Sequence, residues 1–124
     1  MGMHRSVTIL FALAVLFGAC SSVADEAPGD GRLVIIDDVG NVVTAAPDGT
    51  DVVSVADDGG GRVTYFQPIW SPDGSSISVT RSDESGFSIE LIDAGTGERM
   101  SMPTASNSFY LYWSPDGSRL ASLS

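Results

Sequence analysis

The chain has 124 residues, room for one small domain, and a formal charge of −10 with six arginines and no lysine. Nucleic acid is a poor partner for such a chain, because neutralising phosphates takes clustered Lys or Arg, and solubility alone accounts for the acidity. Hydrophobic residues make up 43% of the sequence, which is too much apolar surface for a chain that is disordered throughout.

The side chains that most often perform catalysis are scarce. The single cysteine, Cys20, excludes an intrachain disulfide, and the single histidine, His4, lies in an N-terminal targeting segment. The rest of the chain therefore lacks the usual general base, zinc ligands, Schiff-base amine and thiol nucleophile. We predict that the chain is not an enzyme and has no metal ion or other cofactor.

Residues 1–19 have the pattern of a helical secretory signal peptide. His4 and Arg5 supply a short positive start, and the apolar run 7–17 is shorter than the ~20 residues that span a bilayer. Residues 20–32 are mostly small or acidic, with Gly and Pro, and this composition predicts a flexible tether.

One six-residue stretch occurs twice, at an offset of 43 residues. The two copies are Trp70-Ser71-Pro72-Asp73-Gly74-Ser75 and Trp113-Ser114-Pro115-Asp116-Gly117-Ser118. Each Ser-Pro-Asp-Gly predicts a type I turn between antiparallel strands, because Pro presets φ, Asp tolerates the next position and Gly takes the positive φ that follows. We expect Trp70 and Trp113 to pack in a core rather than to bind ligand, and Asp73 and Asp116 to form turns rather than act as acids.

Short apolar runs between turn residues predict nine strands. They cover residues 33–36, 42–46, 51–56 and 62–70, then 76–81, 87–92, 99–103 and 108–113, and finally 119–123. We expect strand 33–36 to be buried on both faces, since it is apolar throughout, and strand 62–70 to be interrupted or bent at Pro68.

A repeat of ~40–45 residues with several strands is typical of a propeller blade. We therefore predict an all-β fold made of two four-stranded antiparallel blades of an incomplete β-propeller. The predicted units are a first repeat at 33–75, a second repeat at 76–118 and the first strand of a truncated third repeat at 119–124.

Two family resemblances follow from these motifs. The strand pattern with its two Trp-Ser-Pro-Asp-Gly copies resembles the TolB-type β-propeller repeat, a relative of the WD repeat, over residues 33–124. Phe17-Gly18-Ala19-Cys20 resembles the bacterial lipobox, with Phe17 where Leu is usual. That resemblance implies an acylated Cys20, and several acyl chains, at ~0.8 kcal/mol per buried methylene, anchor a protein stably. An ordinary secretory signal with an incidental cysteine is the alternative.

Closure of the propeller needs ~4–8 blades, and the chain holds only two repeat lengths and one further strand. Blades without neighbours expose apolar faces and unpaired strand edges. We expect the chain to be the N-terminal part of a longer propeller. The alternative is an oligomer in which several chains complete one ring by self-association through their open blade edges.

Three functions remain open. The first is a lipid-anchored scaffold of the bacterial cell envelope that binds a protein, a peptide or a glycan; it would face outward from the cytoplasmic membrane or lie on the periplasmic side of the outer membrane. The second, implied by resemblance, is the propeller portion of a prolyl-oligopeptidase-like serine peptidase whose catalytic domain lies downstream. The third is a fragment without independent function.

The carboxylate pairs Asp37/Asp38 and Asp57/Asp58 suit a hard cation in principle, but solvated turns explain them better.

Overall fold

A computed structural model describes residues 31–124, which form nine strands and no helix. The predicted signal peptide, Cys20 and most of the predicted tether lie outside the described residues. The strands are β1 (Leu33–Ile36), β2 (Val42–Ala45), β3 (Val53–Ala56), β4 (Thr64–Trp70), β5 (Ser76–Asp83), β6 (Gly86–Asp93), β7 (Arg99–Thr104), β8 (Tyr110–Trp113) and β9 (Leu120–Leu123). No helix able to cross a membrane is found within this range.

The strands form three antiparallel sheets, with the orders β1-β2-β3, β4-β5-β6-β7 and β8-β9. The prediction of an all-β antiparallel fold is confirmed. The sheets hold three, four and two strands, so the described residues contain one four-stranded sheet where two were expected. The sheets are also offset from the predicted repeats. Both Trp-Ser-Pro-Asp-Gly turns lie inside a sheet, as the β4–β5 and β8–β9 hairpins, because a tight turn joins strands that pair with each other.

The three sheets stack face to face in chain order. We call the face of a sheet that points towards the preceding sheet its proximal face, and the opposite one its distal face. Tyr65, Ile77 and Val79 on the proximal face of the β4–β7 sheet form one core with Val42 and Ala56 of the β1–β3 sheet. Strand β4 lies against β1 on one side and against β8 on the other, so the first strand of each sheet is close to that of its neighbour.

The distal face of the β4–β7 sheet packs against the β8–β9 sheet through polar contacts. The indole Nε1 of Trp113 donates a hydrogen bond to Ser78 Oγ at 3.0 Å, and Thr80 Oγ1 donates one to the carbonyl of Ser108 at 3.0 Å. Ser78 and Thr80 are fully buried. Strand β5 is therefore covered on both faces, with Ile77 and Val79 against one sheet and these two hydroxyls against the other.

The expectation that the first strand is buried on both faces is wrong. Leu33 and Ile35 in β1 are 46% and 43% exposed. The distal face of β1, with Val34 and Ile36, packs against the shared core. On this proximal face, Val43 and Ala45 of the central strand β2 are buried, whereas Leu33 and Ile35 of the edge strand β1 stay partly open. An apolar run alone does not show that its strand will lie at the edge of a sheet.

The predicted bend in the fourth strand is confirmed. The register of β4 against β5 shifts between Phe66 and Ile69, around Gln67 and Pro68. Gln67 has a positive φ of 53°, which is uncommon for a residue other than glycine. Its side-chain amide donates a hydrogen bond to the Phe109 carbonyl just before β8, so the bend ties β4 to the next sheet.

Replacing Ser78 with Ala should loosen the contact between the second and third sheets. The substitution removes the acceptor for the Trp113 indole, and a donor left without a partner costs about 1–3 kcal/mol. Urea unfolding should show this loss of stability, whereas Ser101→Ala on exposed β7 should leave the unfolding free energy within about 0.5 kcal/mol. Equal effects of the two substitutions would contradict the role given to Ser78.

Candidate functional site

The residues predicted from the repeat occupy two turns of the same geometry. Asp73 Oδ1 accepts hydrogen bonds from Ser71 Oγ at 2.6 Å and from Ser75 N at 3.1 Å. The second turn repeats both bonds at the same lengths, from Ser114 Oγ and Ser118 N to Asp116 Oδ1. Gly74 and Gly117 follow with φ of 68° and 70°. The two sequence copies therefore encode one turn built twice.

The two aspartates of these turns are held in the ionised form. Hydrogen bonds from Ser71 and then Ser75 lower the pKa of Asp73 to about 2, and Ser114 and Ser118 do the same for Asp116. A carboxylate with a pKa this low is a poor proton donor at neutral pH. The geometry supports turn formation as the role of both residues.

The two repeated tryptophans differ in their surroundings. Trp113 is half-buried and hydrogen-bonded to Ser78, as described above. Trp70 packs against the core shared with the β1–β3 sheet, and its buried Nε1 has no hydrogen-bond partner among the described residues. Trp70 approaches the distal face of the β1–β3 sheet, where Val34 and Ile36 offer no side-chain acceptor. Both tryptophans therefore pack against the preceding sheet, and among the described residues only Trp113 has a hydrogen-bond partner for its indole Nε1.

The densest group of charged side chains lies on the proximal face of the β4–β7 sheet, next to the loop between β3 and β4. We call it the ionic cluster. Asp58 Oδ1 accepts hydrogen bonds from Tyr65 Oη at 2.8 Å and from Arg99 Nη1 at 2.8 Å. Arg81 Nη2 lies 3.8 Å from Asp58 Oδ2. The members of the ionic cluster are Asp57, Asp58, Tyr65, Arg81, Asp83, Glu90 and Arg99.

Glu90 is the most buried charged member of the ionic cluster. It is 6% exposed in the middle of β6, and its Oε1 lies 3.5 Å from Arg81 Nε. Its Oε2 is buried and has no partner among the described residues. Burial raises the pKa of Glu90, although Arg81 and Arg99 partly offset this effect.

The other members of the ionic cluster are charged and paired. Burial acts to raise the pKa of Asp58, but hydrogen bonds from Arg99 and Tyr65 outweigh it and lower the pKa below the usual value. Burial, together with the hydrogen bond to Asp58, raises the pKa of the Tyr65 hydroxyl, so this group stays protonated. The arrangement joins the loop after the first sheet to the second sheet by ion pairs.

Three of the four carboxylates singled out as pairs from the sequence, Asp37, Asp57 and Asp58, have partners in the structure. Asp37 accepts hydrogen bonds from the backbone N–H groups of Val39 and Asn41 in the β1–β2 turn. Asp58 belongs to the ionic cluster, and Asp57 lies 3.9 Å from Arg99 Nη2. Within residues 31–124, no group of three or more metal-ligating side chains is placed to hold an ion.

The glycine run 59–61 has a packing role. A Cβ on Gly59 would stand 1.9 Å from the carbonyl oxygen of Gly40, and one on Gly60 would stand 2.4 Å from that of Val39. Only glycine lets the β3–β4 loop approach the β1–β2 turn this closely. The close approach positions the neighbouring Asp57 and Asp58 beside the second sheet.

Sequence analysis did not single out Tyr65, Arg81, Glu90 or Arg99 as a group. One local signal was present, since Glu90 interrupts the apolar side chains of β6 at a position that a packed sheet buries. A buried acid inside a strand needs a cationic partner. The partner could not be identified from spacing, because Arg99 and Asp58 are separated by 41 residues.

No family model matches the chain, and no curated protein matches it.

Replacing Glu90 with Gln should change how stability depends on pH. The folded-state pKa of Glu90 lies above its unfolded value of about 4.5, so its charge destabilises the fold above the folded-state pKa. This cost disappears as pH falls towards 4.5, and stability rises. Glu90→Gln removes the ionisation, so the gain in melting temperature between pH 7 and pH 5 should be smaller than in the unaltered chain.

The matched control for this measurement is Glu84→Gln. Glu84 is exposed and forms a surface ion pair with Arg62 at 3.0 Å. Surface pairs of this kind contribute about 0–1 kcal/mol, so the control should keep the pH profile of the unaltered chain. A profile for Glu90→Gln that matches that of the control would contradict the cost assigned to the buried charge.

Proposed function

We propose that this chain is part of a lipid-anchored, extracytoplasmic β-propeller of the TolB type and that it acts by binding rather than by catalysis. One observation carries the proposal: three consecutive sheets stack face to face with their first strands adjacent, and the Trp-Ser-Pro-Asp-Gly turn recurs in the same hydrogen-bonded form. Radial repetition of sheets in this manner is how a propeller is built.

The chemistry of the described residues favours binding. The carboxylates of the two repeated turns and of Asp58 are engaged by hydroxyl, backbone or guanidinium donors. Ser88 lies in Gly86-Phe87-Ser88-Ile89-Glu90, which lacks the second glycine of the G-x-S-x-G nucleophile elbow, and it is buried inside strand β6. A strained turn that exposes the nucleophile is what such an elbow requires.

The lipobox supports the anchor. Cys20 directly follows Gly18 and Ala19, and the mature chain would begin there with an acidic stretch rich in small residues before the first strand at Leu33. Such a tether lets a folded domain stand away from the membrane to which acyl chains hold it. The ligand class that fits an envelope scaffold is a protein, a peptide or a glycan of the envelope.

The anchor is tested by metabolic labelling of bacteria that express the full chain with an alkyne analogue of palmitate. The full chain should carry the label and partition into the detergent phase, and Cys20→Ala should lose both properties. Ser22→Ala, two positions further along, should retain them. Label that persists in Cys20→Ala, or an unlabelled full chain, would refute the anchor.

Binding is tested separately by photo-crosslinking in living cells. Met100 is 62% exposed and borders an open depression of about 480 Å³ on the distal face of the β4–β7 sheet. A photoreactive residue at position 100 should give discrete adducts. One at position 39, where Val39 is 60% exposed in the β1–β2 turn, should give few. Equal yields from both positions would contradict a binding role for this face.

A further inference from the structure

Four Asp-Gly steps lie in the described residues, at 48–49, 58–59, 73–74 and 116–117, and a fifth, at 30–31, begins outside them. Such a step can isomerise without an enzyme. The glycine nitrogen loses its proton and bonds to the side-chain carboxyl carbon, whose hydroxyl leaves with that proton as water. Water then reopens the resulting succinimide ring, mostly to isoaspartate. Glycine favours the attack, because it has no Cβ and its backbone torsions are unusually free.

Three of the four described steps are closed inside their own β-turn. Each glycine N–H donates a hydrogen bond to the carbonyl three residues earlier, at 2.8 to 2.9 Å, and the acceptors are Ala46, Ser71 and Ser114. Each aspartate accepts a hydrogen bond from the backbone N–H two residues further on, at 3.0 to 3.1 Å. The main chain of one tight turn therefore engages both reacting groups, and the attack requires that this turn opens.

The step at Asp58-Gly59 is held by side chains from other elements instead. The Gly59 N–H donates a hydrogen bond to the side-chain oxygen of Asn41, in the β1–β2 turn, at 3.1 Å. Asp58 Oδ1 accepts hydrogen bonds from Tyr65 Oη and Arg99 Nη1, each at 2.8 Å. Both reacting groups are thus released when these side chains withdraw, and no hairpin turn has to open.

We propose that Asp58-Gly59 is a latent site of spontaneous isomerisation, which Asn41 and the ionic cluster keep closed in the folded protein. Isoaspartate at this step would add one methylene group to the main chain. The loop has little room for it, because even a Cβ on Gly59 would stand 1.9 Å from the carbonyl oxygen of Gly40. The modification would therefore move the carboxylate out of the ionic cluster and unfasten the loop after β3 from the β4–β7 sheet. Neither the lipid anchor nor the propeller arrangement is needed for this chemistry.

The ionised state of Asp58 adds to the protection. Burial acts to raise the pKa of Asp58, but hydrogen bonds from Arg99 and Tyr65 outweigh it and lower the pKa below the usual value. A carboxylate resists the attack, because its oxygen leaves as water only after protonation. The Arg99 guanidinium therefore protects the step in two ways, since it holds the carboxylate in place and keeps it ionised.

The site is tested by incubating the full chain at neutral pH and body temperature for several weeks and mapping isoaspartate by fragmentation mass spectrometry. In the unaltered chain, all four described steps should react much more slowly than in urea. Asn41→Ala should raise the rate at position 58 about fivefold, because the hydrogen bond that it removes contributes about 1 kcal/mol. Arg99→Gln should raise the rate at position 58 at least as much. Positions 48, 73 and 116 should keep the rate of the unaltered chain.

The matched control is Asn107→Ala, at an exposed asparagine before β8, which should change none of the four rates. Three results would overturn the inference. An unchanged rate at position 58 in both variants, with the circular dichroism of the unaltered chain retained, would show that Asn41 and Arg99 do not guard the step. An equal rise at all four positions would show that the modification follows global unfolding. A rate at position 58 in the folded, unaltered chain that equals the rate in urea would show that the fold does not close the step.

Discussion

The structure depends on one constraint: the central four-stranded sheet is buried on both faces along β5 and needs a neighbour on each. Strand β5 shows this most clearly, because the four successive residues Ile77, Ser78, Val79 and Thr80 are all fully buried. Alternate side chains of a strand point to opposite faces, so burial of consecutive residues requires a sheet on either side. Ile77 and Val79 pack against the first sheet. On the other face, Ser78 accepts a hydrogen bond from the Trp113 indole, and Thr80 donates one to the carbonyl of Ser108, just before the third sheet.

The acidic composition is explained by the turns that connect these short strands. Six aspartates accept a hydrogen bond from a backbone N–H two residues further on, and they are Asp37, Asp48, Asp73, Asp83, Asp93 and Asp116. Each replaces a backbone partner that the tight turn cannot supply. Six of the sixteen acidic residues therefore serve hairpin construction, and Arg81 and Arg99 balance the acidic side chains of the ionic cluster.

Local sequence patterns predicted the strands and turns well, because both depend on neighbouring residues. All nine strands were expected from apolar runs between turn residues, and Pro68 identified the bend in β4. The exposure of Leu33 and Ile35 was not predictable, since it depends on β1 lying at the edge of its sheet, beside a central strand β2 that is buried. The ionic cluster was also out of reach, because Asp58 meets Arg99 only after two sheets have stacked. The offset between sheets and sequence repeats, in contrast, was within reach, because each repeated turn was itself predicted to join two antiparallel strands, and strands joined by a tight turn pair with each other.

The β4–β7 sheet is packed between two other sheets. Proton–proton nuclear Overhauser effects test this most directly, because they report distances across each interface of the protein in solution. We expect cross-peaks between the Trp113 indole and Ser78 on the distal face, together with cross-peaks between the Tyr65 ring and Val42 or Ala56 on the proximal face. A spectrum with native hairpin contacts but without one of these two sets would show that the sheet is not packed on that face.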